Sequence, residues 1–136
     1  MINDGAICLA EMAGCDILYD VQNHMLEHTT SIEATSPFGR NIVTTTTPSN
    51  HNKLISPFNL KKSSYSILGW SKYYKSDCYL NKNDENVKLN PKFLEVEIIE
   101  FTSYNFLAIQ FEITKIAHVS DKECILGIIN KFITKY

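Results

Sequence analysis

Along residues 107–119 the odd positions carry Leu107, Ile109, Phe111, Ile113, Ala117 and Val119, while Gln110, Glu112, Thr114 and His118 fall on even ones. A period of two is the signature of a strand with one face in a core and the other toward solvent or a cleft. Lys115 and Ile116 are its main breaks. Upstream, residues 93–101 alternate Leu94, Val96 and Ile98 with Glu95 and Glu97, and the adjacent Ile98 and Ile99 shift the phase as a bulge would. The linker of residues 102–105 is short enough for a hairpin, so the two strands are expected to be antiparallel neighbours.

A helix is expected next. Ser120 with Glu123 three residues later has the form of a capping box. Ile125, Leu126, Ile128, Ile129, Phe132, Ile133 and Tyr136 then recur at spacings of three and four. Such a stripe is most simply buried on the apolar face of the hairpin.

Near the start of the chain, Ile7, Ala10, Ala13, Ile17, Val21 and Met25 have helical spacing, interrupted by Gly14. The pattern predicts helices near residues 5–13 and 16–27. Residues 29–64 predict short strands and loops, including a Thr-rich strand over 41–47 and a turn at 48–52. Residues 64–74 predict a strand with an irregularity at Gly69. The expected fold is therefore α+β in a single domain over residues 1–136. It comprises N-terminal helices, an antiparallel sheet of about four or five strands, and a C-terminal helix packed on one sheet face.

Composition changes this picture little. An apolar content of 44% is enough for a core without a metal or disulfide staple, and no apolar run approaches a membrane span. The four cysteines, Cys8, Cys15, Cys78 and Cys124, are scattered, as expected of reduced thiols. With no secretory leader pattern, a cytoplasmic setting is expected. No cofactor motif is present.

Charge is more informative. Residues 1–39 hold six carboxylates and no Lys or Arg, whereas the remaining residues carry a balance of +4. An acidic front of this kind bears on partners rather than on fold.

Three patterns suggest chemistry. His24-Met25-Leu26-Glu27-His28 resembles the H-x-x-E-H form of inverted zinc peptidases, which implies a metal held by His24 and His28; a third ligand must come from elsewhere, Glu100 being a nominal candidate that the resemblance does not supply. His28-Thr29-Thr30 and His118-Val119-Ser120 resemble the paired tripeptides of 2H phosphoesterases. In that family two histidines on neighbouring strands act as acid and base on a cyclic or 2′,5′-type phosphodiester, and His28, Thr30, His118 and Ser120 would be the catalytic set. Third, residues 61–82 interleave lysines with Tyr65, Trp70, Tyr73, Tyr74 and Tyr79. That mixture can follow a phosphate backbone, but the chain is acidic overall and has no nucleic-acid motif.

The charge asymmetry favours a different reading: a small soluble protein that neutralises a basic protein partner through an acidic surface. Glu11, Asp16, Asp20 and Glu27 would form the contact. This body plan resembles, in type, bacterial toxin-immunity proteins and small phage inhibitors. Neither a nucleic acid nor a membrane is expected as the partner.

Overall fold

In a computed structural model of the protein, residues 2–19, 21, 28–36, 39–47, 52–71, 79–87 and 95–135 are described. They form a mixed α/β fold with antiparallel sheets and a C-terminal helix. Helix α1 (Ile2–Met12) leads into strand β1 (Asp16–Leu18), followed by β2 (His28–Ser36), β3 (Gly39–Thr47), β4 (Leu54–Ser56) and β5 (Tyr65–Ser71). Two short strands, β6 (Tyr79–Leu80) and β7 (Asn86–Val87), precede β8 (Val96–Phe101), β9 (Phe106–Ile109) and helix α2 (Val119–Lys135). The main sheet has the order β3-β2-β5-β8-β9, and β1 with β4 and β6 with β7 form separate antiparallel pairs.

The expected hairpin is present. Phe101 pairs with Phe106, and their ring centroids are 4.6 Å apart. Asn105 takes the left-handed conformation in the intervening turn, at φ 55°. Asn is among the residues that tolerate this conformation.

The expectation of one solvated sheet face is corrected at β8. All six of its residues are buried, because helices cover both faces. Ile99 and Phe101 pack with Ala6, Ile7 and Ala10 of α1 and with Ala13 just after it, whereas Ile98 packs with Ile125 and Ile128 of α2. Adjacent isoleucines suit a strand sandwiched between two apolar layers. The irregularity lies where the sequence suggested: pairing runs Ile67 to Ile99, Gly69 to Ile98, then Trp70 to Val96. Skipping Glu97 turns Val96 onto the same face as Ile99.

The second hairpin strand stops at Ile109, ten residues before the expected end at Val119. Phe111 and Ile116 instead fold into the α2 core around a short 3-10 turn at Ile113–Lys115. Gln110 does not face solvent. Its Oε1 accepts the Ile55 N–H at 3.1 Å, and its Nε2 donates to the Lys53 carbonyl at 3.1 Å.

Helix α2 begins one residue before Ser120. The Lys122 N–H donates to the His118 carbonyl at 3.1 Å, which places the cap position on His118 and Ser120 inside the first turn. Its stripe is only partly used: Ile125 and Ile128 are buried, Ile129 and Phe132 half-buried, and Leu126 and Ile133 exposed. Lys135 Nζ reaches Glu100 at 2.7 Å and fastens the last turn to β8.

At the front of the chain, one helix and a strand replace the two expected helices. Gly14 ends α1, at φ 83°, with Cys15 N–H donating to Ala10 O at 3.0 Å and Gly14 N–H to Glu11 O at 2.9 Å. This pair of bonds is a Schellman termination, which needs a residue free to take positive φ. Asp16, Ile17 and Leu18 then pair with Ser56, Ile55 and Leu54. Residues 22–27, where the second helix was expected, lie outside the described residues. Over residues 29–64, β4 is short as expected and the Thr-rich strand over 41–47 lies within β3, but β2 and β3 are each nine residues long and paired along their whole length. Their Thr and Ser content hid them from a hydrophobic period but suits extended backbone.

Candidate functional site

The turn at Gly14 brings Glu11, in the last turn of α1, and Asp16, the first residue of β1, to one cavity of about 510 Å³. The Asn59 side chain fastens that turn: its Nδ2 donates to Gly14 O at 2.9 Å, and its Oδ1 accepts the Asp16 N–H at 3.3 Å. Cys15, Ile17, Leu18, Tyr19, Ser56 and Val87 supply further wall. Asn81, Lys82 and Asn83 also line it.

Those three residues belong to a tight turn between β6 and β7. Asn81 Oδ1 accepts the N–H groups of Asn83 at 2.9 Å and Glu85 at 3.1 Å, while its Nδ2 donates to Glu85 Oε2 at 2.8 Å. Asp84, at φ 58°, completes the reversal. Tyr19 joins the turn to β1, because its N–H donates to Leu80 O at 2.7 Å. Three separate segments thus meet around the cavity through backbone hydrogen bonds.

The electrostatics are uneven. Tyr19 Oη donates to Glu11 Oε1 at 3.4 Å, and Lys53 Nζ stands 5.7 Å from the centroid of the Tyr19 ring. Desolvation, then the charge of Glu11 and its hydrogen bond, push the Tyr19 hydroxyl above its ordinary value, so it stays protonated and donating. Among the described residues no cation is paired with Glu11 or Asp16. Burial, reinforced by Asp16, favours the neutral form of the Cys15 thiol and raises it to about 12 despite a backbone hydrogen bond from Ser56.

Beside the cavity, α1 turns an apolar face outward. Ala6, Ile7, Ala10 and Ala13 are buried against the sheet, leaving Gly5, Cys8, Leu9 and Met12 exposed on one side. Met12 is 75% exposed and Leu9 42%. This exposed apolar strip lies on the helix that carries Glu11.

Of the predicted contact residues, Glu11 and Asp16 are brought together, one on a helix and one on a strand rather than both on helices. Asp20 and Glu27 lie outside the described residues. So does His24, and no metal-holding group of side chains occurs among the described residues. Glu100 is occupied by Lys135.

The two-histidine arrangement needs both imidazoles on neighbouring strands. His28 opens β2, but His118 is an exposed residue immediately before α2 and Ser120 lies within that helix. Thr30 is fully buried. His118 and Ser120 therefore do not share a strand face.

Glu95 and Glu97, read as the polar wall of a cleft, are interior groups at 1% and 0% exposure. The Tyr79 hydroxyl donates to Glu95, and Ser71 Oγ donates to Glu97 Oε1 at 3.2 Å. Hydroxyl donors of this kind offset part of the cost of withdrawing a carboxyl group from water. In the basic stretch, Lys61, Lys62 and Lys82 are exposed, while Tyr79 is buried and Tyr65 and Trp70 are half-buried in the fold. Lys72, Tyr73, Tyr74 and Lys75 lie outside the described residues. Among those described, no helix is long and apolar enough to cross a membrane.

Sequence reasoning missed Tyr19, Asn59 and the Asn81–Asn83 turn as parts of one site, as well as the outward apolar face of α1. The placement of glycine after Met12 and Ala13 was the one available signal, since it suits a helix end. Comparison of the chain with protein-family models, curated proteins and solved structures returns no match.

Proposed function

We propose that this protein binds and neutralises a basic protein partner through its acidic front, in the manner of toxin-immunity proteins and phage inhibitors. The observation that carries the reading is the convergence of Glu11 and Asp16 on one cavity, with no cation paired to either among the described residues, beside exposed Leu9 and Met12. Carboxylates steer a cationic surface into contact, and the apolar centre holds it once water is excluded. The absence of Lys and Arg from residues 1–39 keeps the approach free of opposing charge from that part of the chain.

The test begins with affinity isolation from native host extract, followed by titration of the purified partner. The Glu11→Gln/Asp16→Asn protein is expected to bind at least about tenfold more weakly, with the wild-type affinity falling steeply with salt. Equal affinity for wild type and variant, without salt dependence, would remove the acidic front from the function.

A further inference from the structure

We infer that the outward face of α2 pairs with the same face of a second copy of this chain, the two helices running antiparallel about a two-fold axis between Leu126 and Gly127. Val119, Leu126 and Ile133 are 70%, 49% and 62% exposed and recur every seventh residue, which aligns them in one stripe along the helix. None of the three belongs to the core that Ile125 and Ile128 enter on the other side of α2.

Beside this apolar stripe, and with the same spacing, stand Ser120, Gly127 and Thr134, all exposed and all small. Gly127 is not explained by the fold of a single chain. It occupies the middle of a helix, where glycine is disfavoured, yet a Cβ there would meet nothing within 4 Å. Close approach of a second backbone accounts for it. Thr134 Oγ1 donates to the Asn130 carbonyl at 2.9 Å, so its hydroxyl is satisfied within the helix and loses no partner when covered.

The two stripes complement each other when the helices are antiparallel. Leu126 then comes level with Gly127 of the second copy, Val119 with its Thr134 and Ile133 with its Ser120, so each level joins a bulky apolar side chain to a small residue. Charge selects the same arrangement. Glu123 and Asn130, both exposed, lie between the stripes and come level with one another across the pair, where the carboxylate accepts from the amide. The two Glu123 side chains are then separated by about 10 Å along the helices. A parallel pair would instead set Glu123 level with Glu123, bulky residues level with bulky ones, and the helix dipoles in the same sense. One helix of 17 residues from each copy makes a contact at the small end of specific interfaces, so the pairing is weak and reversible. It uses neither Glu11 nor Asp16, since α1 covers the opposite face of β8, and it is tested apart from the acidic-front reading.

The experiment is sedimentation velocity of the full chain up to about 1 mM, with a dissociation constant expected on the order of 100 µM. Leu126→Gln/Ile133→Gln should weaken association at least about tenfold while leaving the melting temperature and far-UV circular dichroism of the monomer unchanged, because both side chains are already exposed. Gly127→Gln should raise the melting temperature of the monomer, since glutamine favours helix and has open space there, yet weaken association by a similar factor. A glycine that served only the single chain would not split the two readouts in this way. Asn130→Lys should tighten the pair several-fold by setting a cation level with Glu123 of the second copy.

A chain that remains monomeric at about 1 mM overturns the inference. So does a dimer indifferent to the changes at Leu126 and Ile133, and its loss in Leu9→Ser/Met12→Ser would move the contact to α1. Unchanged association in Gly127→Gln would overturn the close approach at that residue. Weakening by Asn130→Lys would overturn the antiparallel arrangement, because parallel helices bring lysine level with lysine.

Discussion

The Gln110 side chain completes the backbone of a strand 55 residues away, accepting the Ile55 N–H at 3.1 Å with an oxygen in a buried setting. This joins the end of the long hairpin to the β1–β4 pair, and hence to the strand that carries Asp16. Replacing Gln110 with Ala leaves a buried donor unsatisfied. The expected loss in chemical denaturation is about 1–3 kcal/mol, and a stability within experimental error of wild type would show that water replaces the amide.

Tyr79→Phe isolates the hydroxyl that donates to buried Glu95 while keeping the ring. Leaving a buried acceptor without this donor costs about 1–3 kcal/mol, so the midpoint of urea unfolding should fall with an unchanged slope. The double variant Tyr79→Phe/Glu95→Gln should lose less than the sum of the single losses, because the two groups form one interaction. Strict additivity would contradict the contact.

Gly69 lies where β5 and β8 shift register, and a Cβ there would meet Ile98 Cγ1 at 2.9 Å and Ile98 Cβ at 3.1 Å. Gly69→Ala is expected to cost about 1–3 kcal/mol by overpacking. Pairing it with Ile98→Val, which removes a methyl from the crowded side chain, should recover part of the loss. No recovery would place the strain elsewhere.

Gly14→Ala tests how the site is positioned. An added Cβ would meet Leu60 Cδ2 at an ordinary 3.7 Å, but φ is 83°. The cost is therefore conformational, about 1–2 kcal/mol, and is read from thermal unfolding. Because Gly14 sets the angle between Glu11 and Asp16, partner affinity should fall more than it does for Gly5→Ala, where a Cβ would meet open space. Equal effects at the two glycines would argue against a positioning role.

The cysteines give a pH-dependent prediction. Cys15 is buried with its thiol raised from 9.0 to about 12, whereas Cys8 is exposed. The folded state thus favours the neutral thiol. Its contribution to stability is fully present below 9.0 and is lost as pH rises from there toward about 12. Between pH ~8 and ~10 the wild-type melting temperature should decline more than that of Cys15→Ala. Mass spectrometry should find iodoacetamide on Cys8 well before Cys15, and equal labelling rates in folded protein would contradict the burial.

Local pattern was informative where one periodicity dominated. The β8–β9 hairpin follows from alternation and a four-residue linker, α2 from spacings of three and four, and the irregularity at Gly69 from a glycine within a strand pattern. The same reasoning failed where side-chain period and backbone pairing diverged. Ile17 and Val21 continue the spacing of α1, yet a Schellman turn at Gly14 and pairing with β4 place Asp16 to Leu18 in a strand. Alternation runs on past Ile109, but Phe111 and Ile116 are needed in the core beneath α2.

The sequence by itself determined that the front of this chain is acidic and free of Lys and Arg, that its C-terminal part builds a hairpin and a helix, and that the fold is α+β. Those properties reside in composition and in periods shorter than a dozen residues. Tertiary structure alone decided that both faces of β8 are covered, that Glu95 and Glu97 are interior groups, and that Glu11 and Asp16 share a cavity with a turn some 65 residues further along the chain. Each of those outcomes depends on which distant segments pair and pack together, and no local pattern of side chains encodes that choice.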